Sequence, residues 1–363
     1  MKSLNDLTEI RLFFFGSEEQ KAKVYVDWVI PYFMELGVPF HAERDWFGGP
    51  NYRIVLEGDV NLEDVKSHFR SHCMREHGEI DEGEILRNLA AYQKNTAVVA
   101  GMERREHRDV SHLNHLEVEA GTIPESYVKK RFHSFLHLKV HTEALFKMQS
   151  FINHHLSQWR GMDQTAKISH TARFFRDVLP YSRFEEKYAV LVYVSNIEGV
   201  LAIAESMKKK QAYINTYERV YDVLNPRELF AGKDYEEAFG MDWKVTIGSI
   251  DSLITANLEG LAGEEEGYYS HREQRELLYQ NIREIGSGFH DELMARNIEG
   301  LLDHEEHARF KYLINVVYKF IHMIGVSFNE KNVACYIVSR FILEENGTTW
   351  DEILKERGES FVP

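Results

Sequence analysis

Cysteine and proline are scarce in this chain of 363 residues: two of the first and seven of the second. Cys73 and Cys335 lie far apart without metal-type spacing, which excludes a disulfide-stapled scaffold and a cysteine-held zinc site and fits a reducing compartment. No stretch is rich in Gly, Ser or Pro, so no linker is visible. The reading is one domain over residues 1–363, with room for two lobes at about 1–120 and 121–363. Positive charge is also short. Lys and Arg number 43 against 58 Asp and Glu, a net charge of −15, and such a field repels nucleic-acid phosphates. A DNA or RNA partner is therefore disfavoured, and the one compact basic run, Lys208-Lys209-Lys210, reads as a solvated helix face. The apolar run Leu12 to Phe15 follows Asp6, Glu9 and Arg11 and lacks the basic flank and length of a secretory peptide. No apolar run approaches bilayer length in this reading, so the expectation is a soluble, cytoplasmic protein without a membrane partner.

What remains is the mix of a globular protein, 44% hydrophobic and 28% charged. Ile10 to Phe15 reads as a buried strand closed by Gly16. Ser17 and Gln20 then form a capping-box start for a helix with Val24, Trp28 and Leu36 on its apolar face, stopped by Gly37 and kinked or ended early at Pro31. His41 to Trp46 and Tyr52 to Leu56 read as paired strands joined by the turn Phe47-Gly48-Gly49-Pro50. Helices are predicted over about Leu62 to His77, Glu82 to Lys94, Pro124 to Gln158 and Ile197 to Lys210, and from His271 to Glu345 the periodicity is helical throughout. Thr96 to Ala100, His115 to Glu119 and Tyr188 to Val194 read as strands. Strands first, helices last and a mixed middle make an α+β pattern: a mixed β-sheet with an N-terminal strand–helix–hairpin unit and a helical C-terminal part.

With 18 histidines, metal sites are weighed first. His304-Glu305-Glu306-His307 is one residue short of the helical zinc-protease spacing, His112 and His115 have no third clear ligand, and His154 and His155 point different ways on a helix. The expectation is no metal. No nucleophile elbow, phosphate loop or dinucleotide fingerprint occurs, and Gly286-Ser287-Gly288 is a short glycine-bracketed turn carrying little by itself. Two segments hold chemistry. In the hairpin, Arg44 and Arg53 project from neighbouring strands beside a tight Gly-Gly-Pro turn, where a rigid guanidinium fork can grip a carboxylate or peptide carbonyl or simply face solvent. Near the end, Tyr318 to Gly325 is an apolar helix terminus with one histidine, His322. That residue is either a hydrogen-bonded core histidine or a pocket-lining general acid–base group.

Together these segments resemble the family found as the C-terminal domain of lantibiotic dehydratases and as free-standing thiopeptide biosynthesis proteins. Arg44, Trp46, Gly48, Gly49, Pro50 and Arg53 match its N-terminal motif, with Ile54 and Leu56 as apolar equivalents, and His322-Met323, Gly325 and Glu330 match its C-terminal pattern in order. The resemblance spans most of the chain. It implies work on a ribosomally made precursor peptide, leader plus dehydrated core, beside a companion dehydratase and without metal or redox cofactor. Two activities are known in the family: elimination of glutamate from glutamylated Ser or Thr, and pyridine synthesis by formal [4+2] cyclisation of two dehydroalanines. Asn51 and Val55 stand where elimination domains carry a histidine and a second arginine, removing a charge-assisted bond worth about 1.5–3 kcal/mol to an acidic leaving group. Cyclisation is therefore favoured over glutamate elimination, with a non-catalytic leader-binding partner as a third reading. On the resemblance, His322 and Tyr318 assist amide-to-iminol tautomerisation while Arg53 and Asn51, beside Arg44, hold peptide carbonyls.

Overall fold

The computed structural model describes residues 6–45, 49–102, 110, 112–123, 128, 132, 134–232, 239–262, 280, 283–295 and 305–356. The chain divides into two compact units, one of Met1–Arg160 with His322–Gly325 and one of Gly161–Ile321 with Val326–Pro363.

The first unit is built on a four-stranded antiparallel sheet of order β2-β3-β1-β4, with β1 Leu7–Phe13, β2 Phe40–Asp45, β3 Asn51–Glu57 and β4 Val118–Thr122. Between β1 and β2 run α1 Glu18–Val24, a π-turn Tyr25–Val29 and α2 Ile30–Glu35. The Ser17–Gln20 capping box forms as the sequence indicates. The irregularity expected at Pro31 lies just ahead of it: Ile30 donates to Tyr25 five residues back, and the Val26 carbonyl is taken instead by the Arg160 guanidinium at 2.7 Å. After β3 come α3 Leu62–His77 and α4 Glu82–Met102; after β4 comes α5 Phe135–Arg160. Alternation along β2 sorts its faces. Phe40 meets Phe33 of α2, whereas His41 meets Phe146 of α5, so helices cover the strand from both sides.

Thr96, read as part of a strand, lies inside α4, where its hydroxyl donates to the Tyr92 carbonyl at 2.9 Å, one helical turn back. That back-bond gives a β-branched residue a helical partner.

The second unit is helical in its described residues: α6 Gln164–Val178, α7 Glu186–Ala189, α8 Leu191–Ser206, α9 Lys210–Leu224, α10 Pro226–Ala231, α11 Met241–Ala256, α12 Leu258–Ala262, α13 Gly288–Ala295, α14 Glu305–Met323, α15 Phe328–Glu345 and α16 Trp350–Glu356. Tyr188 to Val194, predicted as a strand, forms α7 and the start of α8. Burial overrides β-propensity here: Ala189, Val190, Tyr193 and Val194 are enclosed, and the Tyr193 hydroxyl donates to the Phe175 carbonyl at 2.8 Å. Contrary to the sequence reading, one helical stretch, the 21 residues Glu186–Ser206, is long and apolar enough by length and composition to cross a membrane. In this unit α8 packs against α9, α13 and α15. The expected helical C-terminal part is present; residues 271–279, 281–282 and 296–304 of that prediction lie outside the described residues.

Candidate functional site

The hairpin places Arg44, Asn51 and Arg53 within a few residues of one another, with Arg44 opposite Tyr52 and Asp45 opposite Asn51. Each is engaged within the first unit. Arg53 is 6% exposed and holds Glu9 through Nε at 2.7 Å and Nη2 at 2.6 Å, and Glu43 through Nη1 at 2.9 Å. Arg44 pairs with Glu18. Asn51 donates from Nδ2 to the Gly49 carbonyl at 2.8 Å, closing the turn. The sequence reading gave the Arg53 fork to a peptide carbonyl; the structure commits it to two buried carboxylates, because a cation enclosed in a sheet must be answered by charge. Trp46, Phe47 and Gly48 of the motif lie outside the described residues. Gly49 has a packing reason: at φ +124° a side chain would stand 2.5 Å from Leu113 Cδ1 and 2.9 Å from Phe13 Cε1, and its N–H donates to the Tyr92 hydroxyl at 3.1 Å.

In the C-terminal motif, Gly325 and Glu330 shape helix ends. Gly325, at φ +73°, closes α14: its N–H donates to the His322 carbonyl at 3.1 Å and the Val326 N–H to Ile321 at 3.1 Å, a Schellman ending. Glu330 completes a capping box with Ser327 at the start of α15. Those two positions are explained by helix ends. Tyr318 and His322 are not; they stand four residues, about one turn, apart on α14, both half-buried. In the second unit the Tyr318 ring is edge-on to Phe175 at 5.7 Å and lies 6.3 Å from Tyr193, and its hydroxyl is 3.8 Å from Cys335 Sγ. Burial first, then Cys335 and Tyr193, raise its pKa well above that of an ordinary phenol, so it keeps its proton at neutral pH.

Beside Tyr318 stands a polar chain that the sequence reading missed. Lys331, 7% exposed, sits 4.6 Å from the Tyr318 ring centre and donates to Asn196 Oδ1 at 3.2 Å; Asn196 Nδ2 donates to Asn332 Oδ1 at 3.0 Å. An ammonium can only donate, so Lys331 fixes the orientation of both amides. The available signal was Lys331 and Asn332 on the α15 face that also carries Cys335 and Val338. A second missed group is His290, 3% exposed, with Ser195 Oγ 2.9 Å from Nε2 and Ser287 Oγ 2.5 Å from Nδ1. Here Gly286-Ser287-Gly288 proves to be a helix start: Ser287 accepts from the His290 N–H, and Gly286 has φ +64°. Of the histidines weighed as ligands, His115 Nδ1 accepts from the Phe15 N–H at 3.1 Å and His155 pairs with Gln158 at 2.8 Å. His304 lies outside the described residues, and Glu306 pairs with Arg183 and Arg309.

No protein-family model matches the sequence, and no curated protein matches it. Two solved structures are similar in fold. The pyridine synthase TbtD from thiomuracin biosynthesis aligns over 94% of this chain and 99% of its own, at 14% identity and a TM-score of 0.55. TsrL aligns over 98% of this chain and 99% of its own, at 11% identity and a TM-score of 0.62. At these identities the likeness establishes architecture, and that architecture, over nearly the whole length, is the one that the sequence resemblance to thiopeptide pyridine synthases implies.

Proposed function

We propose that the protein modifies a ribosomally synthesised peptide antibiotic precursor, joining two dehydroalanines by a formal [4+2] cyclisation in the manner of a pyridine synthase. The observation that carries this reading is the end-to-end likeness in fold to TbtD. Chemistry at the C-terminal motif supports it. Turning one amide into an iminol diene needs a proton delivered to its oxygen and another removed from its nitrogen. Tyr318, as a hydrogen-bond donor to the oxygen, is assigned the first task, and His322 on the same helix the second. Proton transfer of this kind contributes about 10²–10⁴-fold, and bringing the two reacting segments to effective molarity contributes more. In this reading the hairpin arginines frame the sheet, since Arg53 is occupied by Glu9 and Glu43 and Arg44 by Glu18. Glutamate elimination has less support in the hairpin, where Arg53 already holds Glu9 and Glu43.

The test is mass spectrometry after incubation with a dehydrated core peptide carrying its leader and, separately, with a glutamylated peptide. Cyclisation with expulsion of the leader is expected from the first and no change from the second. Release of free glutamate from the second shifts the assignment to elimination, and peptide binding without any mass change shifts it to a non-catalytic partner. Replacing His322 by Ala is expected to abolish turnover while binding persists; unchanged turnover removes its role.

A further inference from the structure

Ser195 lies mid-way along α8, half-buried, and its side chain departs from that of four other helical hydroxyls in this unit. Ser169, Thr171, Thr216 and Ser252 each donate to the carbonyl four residues back, at 2.7 to 2.9 Å. Ser195 instead turns its oxygen to Nε2 of His290 at 2.9 Å. The imidazole lies across the Ser195–Gly199 turn, with Cε1 at 3.9 Å from where a side chain at Gly199 would begin. On its other side Nδ1 meets Ser287 Oγ at 2.5 Å.

The protons in this row can be placed by counting donors and acceptors. Ser287 is 6% exposed, and its oxygen already accepts from the His290 backbone N–H at 3.2 Å. Among the described residues its single hydrogen has one acceptor, Nδ1; turned elsewhere, it would be a buried donor with its full desolvation penalty unrelieved. Ser287 therefore donates to Nδ1. Burial holds His290 down to about 4, so at neutral pH the ring carries one proton, and that proton is on Nε2. Nε2–H then donates to Ser195 Oγ, and the Ser195 hydrogen is directed out of the row.

The same count rules out a serine nucleophile: an Nε2 that bears hydrogen cannot receive the Ser195 proton. What the row builds is a polarised donor. We propose that Ser195 is a further substrate-contacting residue, its hydroxyl hydrogen presented to an amide oxygen of the peptide being modified, with His290 and Ser287 positioning it. This rests on the reading that the substrate is a peptide. As the amide shifts toward its iminol form, electron density moves onto that oxygen, and a donor fixed in advance stabilises the change without reorganising.

Two measurements decide it. In protein labelled with ¹⁵N-histidine, the ring nitrogens of His290 are assigned through their loss in His290→Gln; Nε2–H with Nδ1 as acceptor is expected, and the Nδ1–H tautomer overturns the proposal. In turnover of the dehydrated, leader-bearing core peptide, Ser195→Ala is expected to lower kcat by about 10²-fold with KM little changed, while Ser195→Thr, which keeps a hydroxyl, retains most of the rate. Wild-type kcat in Ser195→Ala also overturns it. A wild-type protein inert toward that peptide is a failure of the functional reading, and the tautomer then decides the inference alone.

Discussion

Arg11 and Arg53 lie directly opposite each other in the β1–β3 register, and the carboxylate of Glu9 answers both, with Oε1 2.9 Å from Arg11 Nε and Oε2 2.6 Å from Arg53 Nη2. Like charges facing across strands repel, so the bridge is what makes the register tolerable. Burial alone would raise the Glu9 pKa, but the two guanidiniums, Arg53 foremost, outweigh it and hold the carboxyl below its ordinary range. Replacing Arg53 by Ala leaves Glu9 and Glu43 enclosed without a cation, an expected loss of about 3–5 kcal/mol in urea unfolding followed by circular dichroism. Arg44→Ala breaks only the outer pair with Glu18, which is largely exposed, and is expected to cost at most about 1 kcal/mol. Equal losses in the two variants contradict a framework role for Arg53.

Gly49 and Gly121 give a matched pair. A methyl at Gly49 meets Leu113 and Phe13 well inside contact distance and forces a left-handed backbone on alanine, whereas at Gly121 nothing lies within 4 Å. Gly49→Ala is expected to destabilise by about 1–3 kcal/mol through overpacking, with backbone strain in addition, and Gly121→Ala by less than about 0.5 kcal/mol. Thermal melts of the two variants side by side check this. A harmless Gly49→Ala means that the turn can relax and that the motif glycine serves something other than packing.

These two residues also mark what the sequence makes legible. The capping boxes at Ser17 and Ser327, the hairpin and the α+β order were readable because local chemistry dictates them: a side chain three residues from a helix start, alternation beside a glycine turn. Tyr188 to Val194 was misread because the same residues satisfy a strand or a buried helix, and only the partners on α15 and the Phe175 carbonyl decide. Arg53 was placed correctly in its strand, but its pairing with Glu9 and Glu43 was not foreseen, since these are 44 and 10 residues away and nothing local announces it. The Ser195–His290 contact spans 95 residues and has no sequence pattern at all; it becomes visible only when α8 and α13 lie together.

Tyr318 separates structure from chemistry with a single oxygen. Its hydroxyl makes one long contact, 3.8 Å to a thiol, while its ring makes the packing contacts with Phe175 and Tyr193. Tyr318→Phe keeps the ring and is expected to change stability by less than about 1 kcal/mol. On the proposed reading it nonetheless removes the proton donor and lowers turnover of the dehydrated peptide by about 10²-fold or more. A Tyr318→Phe protein as active as the parent leaves the ring as packing and moves the donor elsewhere.

Acid should unfold this protein through its histidines before its carboxylates. Burial lowers His115, His170 and His290 to about 4 each, with Arg173 adding to the effect at His170. In the unfolded chain each titrates near 6.5. The folded constants lie below the unfolded ones, so the unfolded state takes up the protons first as pH falls. The stability these three confer is whole above about 6.5 and is lost progressively toward about 4, at roughly 1.4 kcal/mol per pH unit for each histidine once the unfolded ring is protonated. Carboxylates such as Glu9 and Glu18, held low by their arginine and lysine partners, begin to matter only near the unfolded carboxylate range of about 4. Glu198, raised by burial, works in the opposite direction, from its raised folded pKa down to the unfolded carboxylate range. Between about pH 6.5 and 5 the stability read by urea unfolding should therefore fall through these three rings together with His72 and His77, which burial also lowers, partly offset by Glu198. His115→Gln should remove one of the three while leaving the others; a slope that stays flat from neutral to pH 5 means that these rings are not buried neutral in solution.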